Sequence, residues 1–298
     1  MASTNIGATQ AANYTPELWE LGATDAVQFK MVIPKRVNRE FEGAIANMGD
    51  TVNIPSMSNF TAVDKTTNTD LEAEAFTHPV QQLSINKHKA VAVKIERFAE
   101  RQAMPGYRDR VTKRLGYPIA RVMETDLSAL FDGFSTNGTV GTAGQEIGLA
   151  NYRTAWRLLV EAGAIEEAMT DEDTSIFLSP SEYAAALAEE VLTSKDYGDN
   201  GDAISKAALG AIFGTRVFLS NLLESDSAGQ HDNAWIHKNV LTLAMQQQVR
   251  VETDYRPMAI ATEVVADAIY GLKELTRPGE SNANVTLTDN WGVYLAGT

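Results

Sequence analysis

Apolar residues recur at three- and four-residue steps between Tyr107 and Phe131: Val111, Leu115, Ile119, Val122, Met123, Leu127, Leu130 and Phe131. This spacing lays one apolar stripe along a helix and leaves the charges on the opposite face. It predicts a long spine helix that stops at Gly133. Pro118 interrupts the pattern, because it cannot donate to the Arg114 carbonyl and pushes Tyr117 away from helical angles. With Gly116 beside it, a kink or break is expected there. The stripe resumes in phase afterwards, which favours one kinked helix over two. The spine divides the chain into an extended, hairpin-like region before it and a compact α+β region after it.

Ahead of the spine, Thr51 to Pro55 alternates as a short strand behind the Gly49-Asp50 turn. From Leu83 to Ile95 the alternation is the clearest in the chain: Leu83, Ile85, Lys87, Lys89, Val91, Val93 and Ile95 share one face. Residues 56–78 between these strands are rich in Thr, Asn, Asp and Glu and have no period. A polar loop of about twenty residues is unusual inside a compact domain; such a loop is normally disordered or reaches another molecule, and the polar-flanked strands suggest an extended arm that projects from the body. Phe29 to Ile33 and Val37 to Ala46 are short apolar stretches. Residues 1–24 read as a polar arm anchored at Leu18, Trp19 and Leu21.

Beyond the spine, Gly133 to Gly148 is a glycine-rich connector, and the helix that precedes it argues against a phosphate-binding loop. A helix is expected from about Asn151, with Tyr152, Ala155, Trp156, Leu159 and Val160 inward. Thr174 to Leu178 reads as a buried strand. Ser179-Pro180 caps a helix with Tyr183, Leu187 and Val191 inward. Ser194 to Asp202 is an acidic loop. A strand around Val217 to Leu219 precedes a helical pattern over Val240 to Gln248. Strands follow at Val249 to Tyr255, Met258 to Tyr270 and, past Pro278-Gly279, Asn284 to Leu287.

A chain of 298 residues can bury a sizeable core. It has no cysteine, so disulfides and thiolate chemistry are excluded. It has neither an apolar run of membrane-spanning length nor a signal-peptide pattern at its start, and cytoplasmic synthesis is expected. The net charge of −14 opposes tight nucleic-acid binding. Residues 1–150 hold 15 Lys and Arg against 17 Asp and Glu, so most of the excess negative charge falls later. Lys87 to Arg121 forms a basic belt that reads either as a solvated face or as a docking surface for something acidic.

Catalytic patterns are absent: no G-x-S-x-G, Walker or H-E-x-x-H motif occurs. His78, His88, His231 and His237 lack partners at zinc-ligand spacing. The acids from Asp196 to Asp202 miss the calcium-loop pattern at Gly198 and Ala207. Asp171-Glu172-Asp173 reads as a solvated turn. The pairs Glu166-Glu167 and Glu189-Glu190 sit in polar, helical surroundings, and nothing places them in an apolar cleft. No catalytic residue, metal site or cofactor is expected.

Leu178-Ser179-Pro180-Ser181-Glu182-Tyr183, followed by an Ala/Leu helix, resembles the strand–helix entry of tailed-phage major capsid proteins. Leu209 to Asn221 (LGAIFGTRVFLSN) is similar to that family's turn and strand. Leu243 to Glu252 (LAMQQQVRVE), leading through Ala261 and Val264-Val265 to Tyr270-Gly271, resembles the family's return from its axial to its peripheral domain. The order of arm, extended loop and spine matches as well, so the resemblance spans about the whole chain; Gly116-Tyr117-Pro118 departs from it.

The resemblance implies an α+β fold of the Hong Kong-phage type. Its expected parts are an N-terminal arm and lead-in (1–45), an extended loop (46–95), a peripheral domain with the spine (96–149), an axial domain (150–248) and a return to the peripheral domain (249–298). It implies a shell subunit that assembles into pentamers and hexamers around double-stranded DNA, not an enzyme. The expected location is the virion, after assembly in the host cytoplasm. Expected partners are further copies of the chain, a separate scaffolding protein, a portal, and packaged DNA contacted weakly; no membrane is involved. An encapsulin-like compartment shares the fold, and a soluble α+β enzyme is the rival of another class. Asp64, Asp70, Glu72 and Glu74 give the loop an acidic tip, while Arg108, Arg110, Lys113 and Arg114 give the spine a basic start. These eight residues are the expected inter-subunit contact.

Overall fold

The computed structural model describes residues 31–45, 49–55, 62–71, 80–103, 107–136, 138–164, 173–189, 209, 211–223, 230–276 and 291–298. All of them lie in one compact unit, Met31–Thr298. The strands are β1 (Thr51–Pro55), β2 (Val80–Ser84), β3 (Lys87–Glu96), β4 (Thr139–Gly141), β5 (Thr174–Leu178), β6 (Ala211–Ile212), β7 (Thr215–Leu219), β8 (Asn233–His237), β9 (Leu241–Arg256), β10 (Ala261–Glu274) and β11 (Gly292–Ala296). The α-helices are α1 (Glu42–Ile45), α2 (Arg97–Gln102), α3 (Tyr107–Ser128), α4 (Leu149–Glu161) and α5 (Pro180–Ala188).

The strands form a β1–β2 ribbon, a three-stranded sheet in the order β3-β10-β9 and a six-stranded sheet in the order β4-β11-β8-β5-β7-β6. The spine is α3, one helix from Tyr107 to Ser128 with Pro118 inside it. The helix therefore tolerates the missing hydrogen bond, because the apolar stripe on both sides of the proline is held by other elements. Leu115 and Ile119 pack with Ile95 of β3 and with Val264, Ala266 and Ala268 of β10. One turn on, Met123, Leu127 and Phe131 join a second cluster with Phe134, Phe177, Ile236, Leu243 and Tyr270. The spine thus packs its first half on the three-stranded sheet and its second half on a core that both sheets share.

The six-stranded sheet is covered on both faces. Alternate residues of β5 and β8 divide between two cores: Ile176, Leu178 and Trp235 meet Tyr152, Leu159 and Ala186 of the helices. Phe177, Ala234 and Ile236 face the end of the spine. Such two-sided burial explains why Thr174–Leu178 is buried at every position. Ser179 caps α5, its hydroxyl accepting from the Glu182 amide, with Pro180 in the first turn.

Several expectations shift. The helical pattern over Val240–Gln248 is instead the start of β9, because pairing with β10 along its whole length outweighs the helix propensity of Leu, Ala, Met and Gln. The strand expected from Leu83 to Ile95 is interrupted at Ile85-Asn86, where the ribbon leaves the sheet. The glycine-rich connector contains β4, which pairs with β11. The stretch 249–298 divides: β9 and β10 stay with the spine, while β11 joins the six-stranded sheet beside β8. The strand expected at Asn284–Leu287, the acidic loop at 194–202, Val191 and the arm at 1–24 lie outside the described residues.

The dual role of the spine is checked by truncation. Leu127 is fully buried, and Leu127→Ala should cost about 2–5 kcal/mol in urea unfolding. Val122, 37% exposed on the same helix, should change stability by no more than about 0.5 kcal/mol as Val122→Ala.

Candidate assembly interface

The expected contact residues fall on two elements. Asp64 and Asp70 lie on the exposed stretch 62–71 between β1 and β2. That stretch closes on itself: the Thr69 hydroxyl donates to the Thr66 carbonyl at 2.9 Å, and the Lys65 ammonium donates to the Thr69 carbonyl. Asn68 takes a left-handed conformation at φ 62°. Among the described residues, neither Asp64 nor Asp70 forms an ion pair within the chain. Glu72 and Glu74 lie outside the described residues, and Arg108, Arg110 and Lys113 are placed only as backbone of the first turns of the spine. Arg114 is exposed on the same helix.

The ribbon that carries the loop is anchored where it crosses β10. Lys273 donates to the Gln82 carbonyl at 2.9 Å, and the Gln81 side chain exchanges two hydrogen bonds with the Thr276 backbone. Gly271 permits this crossing, since a Cβ there would collide with the Ser84 carbonyl and with Ile85.

Part of the basic belt is not available for docking. Lys87 and Lys89 point inward with the apolar face of β3 and reach Asp126 of the spine at 3.0 and 3.6 Å. The Tyr270 hydroxyl donates to the same carboxylate at 2.6 Å. Burial pushes the Asp126 carboxyl up, but the Tyr270 and Lys87 hydrogen bonds, with the charges of Lys87 and Lys89, outweigh it and hold the carboxyl below its usual range. Burial, and then the Asp126 carboxylate, drive Tyr270 the other way, far above the usual range of a phenol.

Sequence reasoning missed three carboxyl-centred contacts, two of them fully buried. Besides Asp126, Glu124 accepts from the Val32 amide and the Ser220 hydroxyl at 2.8 Å each. Glu182 accepts from the Ile147 amide and from the Thr298 hydroxyl. The only signal for Glu124 and Asp126 was their place beside the apolar stripe. For Glu182 it was the capping-box spacing from Ser179, used here to hold other segments rather than the cap.

A second uncovered region lies at the tip of the three-stranded sheet. Met258 is fully exposed, with Phe98 72% and Ile260 61% exposed. The Arg97 amide donates to the Ile260 carbonyl at 3.0 Å, which brings the start of α2 against the β9–β10 turn. Along the distal half of edge strand β9, Val249, Val251 and Tyr255 are also exposed. His88 pairs with Asp267, and the His237 ring nitrogen accepts from the Asn239 amide while its edge meets Trp291; His78 lies outside the described residues. No cluster of three potential metal ligands occurs among the described residues. Asp173 pairs with Lys238 at 2.7 Å, while Glu166, Glu167, Asp171, Glu172 and Glu190 lie outside the described residues.

Compared with solved structures, the chain aligns end to end with a protein of Mycobacterium phage Che8. The TM-score is 0.75, with 18% identity and 100% of both chains covered. The capsid structure of the Cyanophage P-SCSP1u matches with a TM-score of 0.72 and 14% identity, covering 100% of this chain and 97% of that one. The chain has the fold of tailed-phage major capsid proteins. The capsid of Ralstonia phage GP4 shares this capsid fold at a TM-score of 0.63 and 13% identity, over 100% and 99% of the two chains. No protein-family model and no curated protein matches the chain. Within the chain, the stretch 62–71 and the tip of the three-stranded sheet are exposed.

The Asp126 junction yields a pH prediction. Its carboxyl is held below the ordinary value of 3.8, so its contribution is present above that value and is lost as pH falls through the lower folded value. Asp126→Asn should lower stability at neutral pH by about 1–3 kcal/mol. It should also flatten the acid limb of the pH–stability profile, read by thermal unfolding.

Proposed function

We propose that this chain is the structural subunit of an icosahedral phage capsid, not an enzyme. The observation that carries this reading is the likeness to the Cyanophage P-SCSP1u capsid structure over 100% of this chain and 97% of that one. In the proposal the chain assembles into pentamers and hexamers that enclose double-stranded DNA, which the acidic surface contacts weakly and without sequence readout. A separate scaffolding protein and a portal take part, assembly occurs in the host cytoplasm, and the product is the virion. The three-stranded sheet and the first half of the spine form the peripheral domain; the six-stranded sheet with α4 and α5 forms the axial domain. The extended loop, 46–95, returns to the three-stranded sheet as β3 and reaches a neighbour at its tip.

At that neighbour, loop acids Asp64, Asp70, Glu72 and Glu74 dock on the basic start of the spine: Arg108, Arg110, Lys113 and Arg114. The reading is supported by the exposure of Asp64 and Asp70 and by their lack of a partner among the described residues. An exposed ion pair contributes only about 0.2–1 kcal/mol, but a shell repeats it at every contact.

Electron microscopy of the purified, expressed chain should show closed particles that sediment as one large species. A chain that stays monomeric at every concentration, with or without a scaffolding protein, would refute the shell reading. Particles that hold protein cargo and no nucleic acid when recovered from infected cells would favour a compartment instead. For the loop contact, joint Asp70→Lys, Glu72→Lys and Glu74→Lys should impair assembly and leave the monomer folded. Added Arg110→Glu, Lys113→Glu and Arg114→Glu should partly restore it. Normal particle yield from the loop triple variant at low salt would count against the contact.

A further inference from the structure

Residues 31–38 cross the molecule as a short strap. Ile33 and Pro34 form its 3₁₀ turn and are buried, and Val37 is 7% exposed. At one end the Val32 amide donates to Glu124 of the spine at 2.8 Å. At the other end the Asn38 amide donates to the Leu241 carbonyl at 2.9 Å, and the Leu243 amide donates back to the Asn38 carbonyl at 3.0 Å. Between them the Arg36 guanidinium lies 4.6 Å from the centre of the Phe218 ring. The strap therefore ties the spine to the start of β9 and closes the phenylalanine-rich core shared by the two sheets.

Glu124 is the unusual member of this arrangement. It is a fully buried carboxyl with no ion pair among the described residues, placed where the strap, the spine and the loop after β7 meet. The Ser220 hydroxyl donates to it at 2.8 Å and itself accepts from the Leu222 amide, and Ser128 one turn further along the spine donates to the Leu222 carbonyl. A core of these dimensions would be simpler with an apolar side chain at this position, since burying a carboxyl is costly.

We propose that residues 31–38 are a strap that docks and undocks as a unit, with the Glu124 carboxyl as its clasp. Undocking returns Glu124 to water; docking removes it from water and supplies the Val32 amide. Burial raises the Glu124 carboxyl above its usual range, and the hydrogen bonds from Ser220 and the strap backbone, with the charge of Lys35, offset only part of that rise. Docking thus takes up a proton, so the strap tightens as pH falls through the docked value and loosens as pH rises. Lys35 is the charged strap residue that acts on Glu124. On the spine, Arg121 is exposed and Asp126 is engaged by Lys87 and Tyr270, while the loop after β7 contributes no ionisable group among the described residues. Protonation keeps the geometry, because a neutral carboxyl can still accept from the Val32 amide while its O–H donates to Ser220. The proposal concerns the chain itself and stands apart from the shell reading.

Amide hydrogen exchange of the full chain tests it, read residue by residue between about pH 5 and about pH 8 and corrected for the intrinsic pH dependence of exchange. The Val32, Asn38 and Leu243 amides should open together, and more readily than the amides of β8. Their protection should fall as pH rises by up to about tenfold per pH unit, while that of β8 stays level. Glu124→Gln, which preserves one acceptor and one donor, should abolish the slope and keep the strap closed at the upper end of the range. Ser220→Ala, which removes a hydrogen bond that favours the carboxylate, should move the slope to higher pH. A wild-type strap with no pH slope, the same slope in Glu124→Gln, or an unmoved slope in Ser220→Ala would overturn the proposal.

Discussion

One stripe of side chains on α3 holds two sheets. Leu115, Ile119, Met123 and Leu127 recur every four residues and are all buried, yet the first two face β3 and β10 while the last two face the core behind β5 and β8. A helix surface repeats at i and i+4, so a continuous stripe can cross from one partner to the next without changing its own geometry. Everything else in the described chain is placed relative to that line: β9 and β10 run beside the spine, the six-stranded sheet closes over its end, and the strap crosses it. The same constraint explains why Pro118 is tolerated. The proline removes one backbone hydrogen bond, but Leu115 before it and Ile119 after it are both buried against β3 and β10.

The polar residues beside that stripe set orientation. Asp126 draws Lys87 and Lys89 from β3 and the Tyr270 hydroxyl from β10, which fixes how the three-stranded sheet turns about the spine. Glu124 fixes the strap and the loop after β7, and Glu182 fixes the Ile147 backbone and Thr298. Desolvation opposes each contact, and at Asp126 the hydrogen bonds and nearby charges outweigh it. The value of such groups is directional: a carboxylate with two or three defined donors accepts only one arrangement of the segments around it.

Against this fixed body stand the surfaces that nothing in one copy covers. The β1–β2 ribbon departs where Gly271 lets its backbone pass over β10, and its acidic stretch reaches away from the core. Exposed Met258, Ile260 and Phe98 sit at the opposite purpose from a core: they are large apolar groups held out by a defined turn, with Ile260 in a left-handed conformation at φ 49°. Exposed apolar groups of this size are unusual on an isolated surface and mark the tip as a place for contact.

By itself the sequence determined the elements whose periodicity is strong and uninterrupted. The spine was legible from its four-residue steps. The alternation of β3 was legible down to the inward face of Lys87 and Lys89, and the Ser179-Pro180 start of α5 from its cap. It also carried the resemblance to the capsid fold, through the order of its segments. Only the tertiary structure decided that Leu241–Gln248 is strand, because its partner β10 lies across a turn and supplies hydrogen bonds that local propensity does not count. It alone revealed β8, whose Ala234-Trp235-Ile236 is too short to show a period and whose neighbours β5 and β11 are distant in sequence. The acidic loop and the basic spine start were legible only as charge: Asp64 and Asp70 have no ion-pair partner among the described residues, and no spacing along the chain encodes one. The roles of Glu124, Asp126 and Glu182 were hidden for a related reason: a carboxylate's partners are fixed by which distant segments the fold brings within hydrogen-bond distance, and no spacing along the chain encodes that.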